Sequence, residues 1–308
     1  ALPIYHGLDR NKAVGIDKVS WQEYGKHLPD KIESLVIRLK NKSFKPLPAR
    51  RVYIPKGNGE SRPLGISAIE NKIVETGVML ILQSIYEQDF LGCSYGFRPE
   101  RNTHQALNDV DKAIMTRPIN HLVEADIKGF FDNVSHDKLM GFVKIRVKDS
   151  SLLHLIERFL KAGYVDNGVL IDTEKGTPQG SILSPMLANI FLHYVLDKWF
   201  EDTVKSHTKG FCKLVRYADD FVCLVQYQED ARRIERALSN RFNKYDLQLH
   251  PEKSRNISFG RYERQNASNT GRRANTFDFL GFTHYCDKTR KGYFKLGRKT
   301  RSEEHTSE

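Results

Sequence analysis

Cysteine is scarce in this chain and widely scattered. Cys93, Cys212, Cys223 and Cys286 are the only four in 308 residues, and no two form a CxxC pair. That spacing argues against a disulfide framework and against a zinc site. It makes a reducing cytosol the expected compartment, a bacterial one first and an organelle second. Long apolar runs are missing too: none approaches the ~20 residues that cross a bilayer, and no leader-like stretch opens the chain, so no membrane partner is expected. Internal repeats and low-complexity tracts are absent. What is there, 39% hydrophobic and 28% charged residues, suits a globular chain with one large core or two modest ones.

The formal net charge is +11, and its placement is uneven. Residues 31–62 carry nine Lys/Arg against two acids, and residues 251–301 carry thirteen against four, so the rest of the chain is mildly acidic. Two basic surfaces around an acidic body suggest a polyanion held from two sides. The plainer reading is a solvated basic surface, and charge alone does not choose between DNA, RNA and an anionic membrane.

Pattern and punctuation predict interleaved strands and helices. After a Pro-rich link at 45–48, Arg51-Val52-Tyr53-Ile54 reads as a strand, Gly57-Asn58-Gly59 as a hairpin turn and residues 62–66 as the return. Ser67 with Glu70 three residues later has the spacing of a capping box, opening a helix whose Ile73, Leu80, Ile81 and Ile85 recur at helical spacing. Further on, 121–126 is strand-like, 135–147 helical, 164–171 a hairpin around Asp166-Asn167-Gly168, and 183–204 a long apolar helix. Two β-rich runs, 211–217 and 221–227, are separated only by Ala218-Asp219-Asp220, and a helix follows over about 228–245. Strands partly in hairpins and interleaved with helices predict an α+β fold.

Tyr217-Ala218-Asp219-Asp220 is the central chemical feature. Asp favours turns, so an Asp pair in a turn is common. Burying adjacent carboxylates without a counter-cation is costly, however, so the pair is not there for packing. Asp126 adds a carboxylate at the end of an apolar strand. Alone it reads as a turn or cap residue. Nucleotidyl transfer by two divalent ions ~4 Å apart needs carboxylates from separate elements, and a strand-end Asp with a turn Asp-Asp supplies them. Hard oxygen donors suit magnesium. A third element, Gly176-Thr177-Pro178-Gln179-Gly180-Ser181, opens the long helix; its glycines let backbone approach a ligand, and a helix N-terminus attracts phosphate. An ordinary capped loop is the alternative.

With these residues in place, the chain resembles the group II intron-encoded reverse transcriptases (maturases), in an ordered series of blocks. Gly15-Ile16-Asp17-Lys18-Val19-Ser20 is similar to that family's N-terminal extension motif, and RRVYIPKGNGESRPLGI over 50–66 to its first fingers block. Ser94-Tyr95-Gly96-Phe97-Arg98-Pro99 is close to its most distinctive hexapeptide. Residues 126–132 match the block of the first catalytic aspartate, 176–185 the template-contacting block and 217–220 the catalytic box. LQLHPEK over 247–253 and Phe279-Leu280-Gly281-Phe282 match the last two palm blocks.

The resemblance implies a right-hand polymerase with fingers and palm, an antiparallel palm sheet backed by helices. Residues 1–115 would be a partial N-terminal extension and fingers, with 140–175 also a candidate for the fingers, and 116–301 the palm. Asp126, Asp219 and Asp220 would be catalytic, with Asp126, Asp219 and the Ile127 carbonyl on two Mg2+ ions, for which Mn2+ could substitute. Arg50, Lys56 and Arg62 would hold the incoming dNTP triphosphate, and clustered cations suit a polyanion; a basic surface hairpin is the alternative. Phe131 would exclude a ribose 2′-hydroxyl, or be a core aromatic like Phe130. Gln179 would touch the template–nucleotide pair, and Gly180, Tyr217 and Arg98 the template or primer. Tyr95 and Phe97 alternate and are also candidates for the core.

Implied partners are intron RNA, an RNA template with a DNA primer, dNTPs and, through C-terminal segments, target DNA; a homodimer stays open. Family members continue into a thumb, a DNA-binding segment and often an endonuclease. No His-Asn-His pattern is visible here, so fingers and palm alone are expected, with 302–308 an appended tail. The expected function is RNA-directed DNA synthesis for an intron, with RNA binding that assists splicing and mobility. The alternatives are a splicing cofactor whose polymerase site is incidental, or a CRISPR-associated, diversity-generating or retron reverse transcriptase.

Overall fold

The computed structural model describes residues 1–55 and 61–300. The turn expected at 57–59, Lys56 and the tail over 302–308 lie outside the described residues. Two compact units form, each from two stretches of chain: Ala1–Asp89 with Gly129–Phe191, and Phe90–Lys128 with the chain from Leu192 on. Against the expected division into 1–115, with 140–175 also a candidate for the fingers, and 116–301, residues 129–191 fall with 1–89, and 90–128 with the chain from 192 on. The reason lies partly in the helix Thr103–Thr116, whose Ala106, Leu107, Val110, Ala113 and Ile114 bury against strand residues Leu122, Val215, Val222 and Leu224.

In the first unit, strands Ala49–Pro55 and Ser61–Ile66 pair antiparallel, with Arg50 opposite Ile66. The strand Ala49–Pro55 also pairs in parallel with Tyr164–Asp166, which turns back into Val169–Ile171. The expected hairpin over 164–171 is present. Asn167 and Gly168 both have positive φ, 48° and 82°, the two-residue turn whose twist matches paired strands.

The capping box expected at Ser67 does not form. The helix runs Ile69–Tyr86 without a side-chain cap, and the Ser67 hydroxyl instead donates to buried Glu75 at 3.0 Å. Glu70 is drawn away to Arg38 (2.7 Å) and accepts from the Tyr24 hydroxyl. The buried face is also rotated from the expected one: Ile73, Val74, Val78, Leu82 and Tyr86 face inward, and Leu80 and Ile81 are exposed. A helix apolar on more than one side leaves that choice to its neighbours. A genuine capping box does occur, at Asn102 with Gln105.

In the second unit four antiparallel strands lie in the order Cys212–Tyr217, Asp220–Val225, His121–Ala125, Arg255–Ser258. One face packs on the helix Thr103–Thr116, and on the other Phe221 meets Phe242 of the helix Gln228–Lys244. A second antiparallel sheet orders Phe294–Thr300, Phe282–Lys288 and Thr276–Phe279. The α+β class and the antiparallel sheet backed by helices are thus as expected. The long helix begins at Ser184 and widens into π-type turns over His193–Asp197 and Phe200–Val204.

Candidate active site

The strands Cys212–Tyr217 and Asp220–Val225 are joined by just two residues, Ala218 and Asp219, with Tyr217 opposite Asp220. Asp219 therefore sits in the turn and Asp220 begins the strand. Ala218 is held at φ 56°, a left-handed conformation that disfavours a β-carbon by ~1–2 kcal/mol. The surroundings impose it. The Arg216 guanidinium donates to the Ala218 carbonyl at 2.8 Å. Arg216 is itself completely buried, forked onto Asp197 at 2.7 and 2.5 Å and donating to the Ser94 hydroxyl at 2.7 Å.

The 94–99 hexapeptide is the scaffold of this turn. Tyr95 donates its amide to the Arg216 carbonyl, and Arg216 donates its own to Cys93, so the segment runs beside the strand as a short parallel partner. At Gly96 a β-carbon would lie 2.5 Å from the Ala218 nitrogen; no side chain fits between the two segments. Arg98 does not reach out to a template phosphate. It is 7% exposed, donates to the carbonyls of Leu91 and Ser94 at 2.8 Å each, and lies over the Phe90 ring. Tyr95 is core, with its hydroxyl on Asp109, whereas Phe97 is exposed at positive φ, its ring centroid 6.4 Å from that of Tyr217.

Asp126 follows the strand His121–Ala125, whose last pair is Ala125 with Phe221; one step further along the register it faces Asp220. The 247–253 block fastens this stretch: Lys128 donates to Gln248, Ile127 bridges to Leu249, and His250 donates to the Asp126 carbonyl. Ser254 accepts from the Asp126 amide, and the Lys253 ammonium lies 3.2 Å from the Asp126 carboxylate. The other late block serves Asp220. Leu280 and Gly281, both at positive φ, turn the chain between Phe279 and Phe282, and the Leu280 amide donates to the Asp220 carboxylate at 3.4 Å.

Electrostatics mark the same spot. Burial, with the negative charges of Asp219, Asp126 and Glu124 adding to it, pushes the Asp220 carboxyl up to about 7. Alternation along the strand places Glu124 on the same face as Asp126. Burial also raises the pKa of Glu124, although Arg255 pairs with it at 2.8 Å. Carboxylates that repel one another in this way form a donor set that gains from a cation. Among the described residues no group of three or more His, Cys, Asp or Glu side chains is placed to hold a metal ion. Two carboxylates and a carbonyl suit instead an ion that draws its remaining ligands from phosphate and water.

In the first unit the structure brings two of the expected nucleotide contacts together. The Arg62 guanidinium donates to the Gln179 side chain at 2.9 Å, and the Gly65 amide donates to the Gln179 carbonyl at 2.6 Å. Gly180 has φ 102°, and a β-carbon there would meet the Gly65 carbonyl at 2.5 Å. Arg50 donates from Nε and Nη2 to the Val14 carbonyl at 3.2 and 2.8 Å, which leaves its Nη1 donors for any further partner. Phe131 is half-buried edge-on to buried Phe130. In the loop 176–183 the amides of Gly176, Thr177, Ser181, Ile182 and Leu183 are already bonded within the protein, the Ile182 amide and Ser181 hydroxyl holding the Glu75 carboxylate at 2.8 and 3.0 Å, and the helix starts only at Ser184.

The residues missed by sequence reasoning are Arg216, Asp197, Ser94 and Glu75. One signal was visible: an arginine flanked by Val215 and Tyr217 in a largely apolar strand, directly before Ala218-Asp219-Asp220.

Comparison with known proteins supplies the context. The family model described as reverse transcriptase (RNA-dependent DNA polymerase) matches residues 54–284. The group II intron-encoded protein LtrA of Lactococcus lactis is 45% identical over 171 residues, 55% of this chain and 28% of that protein. Protein YkfC of Escherichia coli is 34% identical over 244 residues, 69% of this chain and 63% of its own length. The chain thus covers under two thirds of either relative. Among solved structures, a Candida albicans telomerase aligns over 92% of this chain and 50% of its own with a TM-score of 0.61 at 13% identity, a similarity of fold.

Proposed function

Since the chain belongs to the reverse transcriptase (RNA-dependent DNA polymerase) family, we propose that it is the polymerase part of a group II intron-encoded protein, copying RNA into DNA for an intron whose RNA it also binds and helps to splice and move. Reverse transcriptases as a family use divalent metal ions. The observation that carries the reading is the convergence of Asp219 in a two-residue turn, Asp220 beside it and Asp126 across the register. Asp126 and Asp219, with the Ile127 carbonyl, would hold two magnesium ions. Bound there, the ions would lower the pKa of the primer 3′-hydroxyl and stabilise the pyrophosphate leaving group.

The protein's own residues do the positioning. Asp220, which accepts from the Leu280 amide, would support its neighbours. Arg62 would pair with triphosphate oxygens, oriented through Gln179, and Lys56 is proposed for the same anion. Phe131 would fill the space of a 2′-hydroxyl, selecting dNTPs by overlap. Gly180 and Tyr217 would border template and primer. Proposed partners are intron RNA, a primed RNA template and target DNA.

The test is primer extension by the intact protein on poly(rA)/oligo(dT) with dTTP and Mg2+, beside an Asp219→Ala variant that melts at the same temperature. Extension by the first and none by the second is expected. No RNA-templated synthesis by the wild type, or near-normal synthesis by the variant, would overturn the assignment.

A further inference from the structure

The second unit also carries a pair of adjoining cavities lined by none of the residues assigned above to polymerisation. Between the turn at 261–262, the helix Glu263–Asn269 and the tip of the hairpin formed by Phe282–Lys288 and Phe294–Thr300 lies a cavity of about 370 Å3, lined among others by Arg261, Tyr262, Arg264, Lys288 and Tyr293. Beside it lies a second cavity of about 380 Å3, rich in side-chain amides from Asn120, Asn266 and Asn269. Tyr262 and Gln265 line both cavities. Neither cavity includes Asp126, Asp219, Asp220 or any residue proposed for the nucleotide.

The site is built rather than incidental. Its helix is anchored by Glu263, which lines the second cavity at 2% exposure and takes the two Arg272 Nη nitrogens at 2.5 and 3.1 Å and the Asn275 amide at 2.9 Å. Around the first cavity, Arg264 is paired with Asp287 at 3.0 Å, whereas among the described residues Arg261 and Lys288 take part in no ion pair. Tyr262 and Tyr293 are 59% and 72% exposed and line the same cavity, so two aromatic rings stand open to a ligand beside the cations. Arg290 and Lys291 add two more cations at the hairpin tip.

Cations, exposed aromatic faces and amides answer three parts of one ligand: phosphate, the face of an unpaired base and its hydrogen-bonding edge. An acidic peptide matches the cations, but it does not bring a repeating series of flat base faces for the two rings. We infer that this double cavity binds a single-stranded stretch of RNA, stacking bases on Tyr262 and Tyr293 and reading their edges with the amides, as a holding site separate from the carboxylate turn. The intron-RNA partner proposed above would be its natural source. The binding itself does not depend on polymerase activity.

The experiment uses the intact protein, saturated with a short primer–template duplex, and a fluorescent 12-nucleotide unstructured RNA carrying one 4-thiouridine. Crosslinks should map to the peptides holding Tyr262 and Tyr293. Tyr262→Ala with Tyr293→Ala should weaken affinity about tenfold or more, and the Phe pair should restore it, since either ring stacks. Arg261→Gln with Lys288→Gln should lower the slope of log affinity against log salt by about 0.7 per lost phosphate contact. Extension of the short primer should be unchanged in all of them. Unaltered affinity in the alanine pair would overturn the inference, leaving a basic surface open to any polyanion, protein included. Equal loss of short-primer extension would overturn it too, by making the cavity part of the polymerase groove. Failure of extension in the wild type would refute the polymerase reading and leave this binding result standing.

Discussion

Two hairpins carry the charges that matter, and they are built in opposite ways. In the strands Cys212–Tyr217 and Asp220–Val225 nearly every residue is buried, and the turn between them is gripped by Arg216, Gly96 and the 94–99 segment. In the strands Ala49–Pro55 and Ser61–Ile66 burial fades toward the tip, from Ala49 in the core to exposed Ile54 and Ser61. The contrast suits the roles proposed for each. Acids that position cations need fixed geometry, because misplaced charge loses most of its effect. Cations that meet an arriving polyanion gain from reach, and a solvated arginine or lysine costs little to keep until it is used.

The comparison can be broken at its rigid end first. Asp126→Ala should reduce primer extension about a thousandfold or more with the melting temperature nearly unchanged, since Asp126 is half-exposed and tied through its backbone. Arg216→Met should act on stability instead. Leaving Asp197 buried without its partner costs about 3–5 kcal/mol, read by denaturant titration. Adding Asp197→Leu should recover much of that stability without recovering synthesis, because the Ala218 carbonyl would still lack its donor. Restored extension in the double variant would show that the turn needs no clamp.

The exposed hairpin should respond differently. Arg62→Ala should raise the KM for dNTP about 10- to 100-fold at constant stability, the scale of lost charge-assisted hydrogen bonds. Phe131→Ala should narrow the preference for a dNTP over its matching rNTP about tenfold, measured as a ratio of kcat/KM values. An unchanged ratio returns the ring to the core.

The smallest effect probes how far rigidity extends into the neighbouring sheet. His284 is fully buried 4.5 Å from Phe277, with no hydrogen-bond partner at either ring nitrogen, and burial lowers its pKa to about 4. A histidine that charges more readily unfolded than folded contributes stability above pH 6.5 that is lost as pH falls toward 4. His284→Phe should flatten that part of the stability curve by roughly 1 kcal/mol or more, seen by thermal melts at pH 5 and 7.5.

What the sequence by itself determined is local or carried by residue type. Apolar runs around Ala218-Asp219-Asp220 placed the acids at a strand turn, Asn167-Gly168 specified its hairpin, and an acid ending the run at Asp126 supplied the second element. The ordered blocks identified the family. Only the tertiary structure decided which partner each polar side chain takes. Ser67 and Glu70 had the spacing of a cap, yet Glu75 and Arg38 were better placed to satisfy them once the helix packed. Arg98 had the chemistry of a phosphate contact, but its guanidinium turns inward to the Leu91 and Ser94 carbonyls. Arg216, Asp197 and Ser94 lie 19 and 122 positions apart along the chain, beyond any local pattern. The physical reason is the same in each case. Turn and strand preferences act over a few residues, whereas the cost of burying an unpaired charge or donor is settled by whatever the folded chain brings within reach.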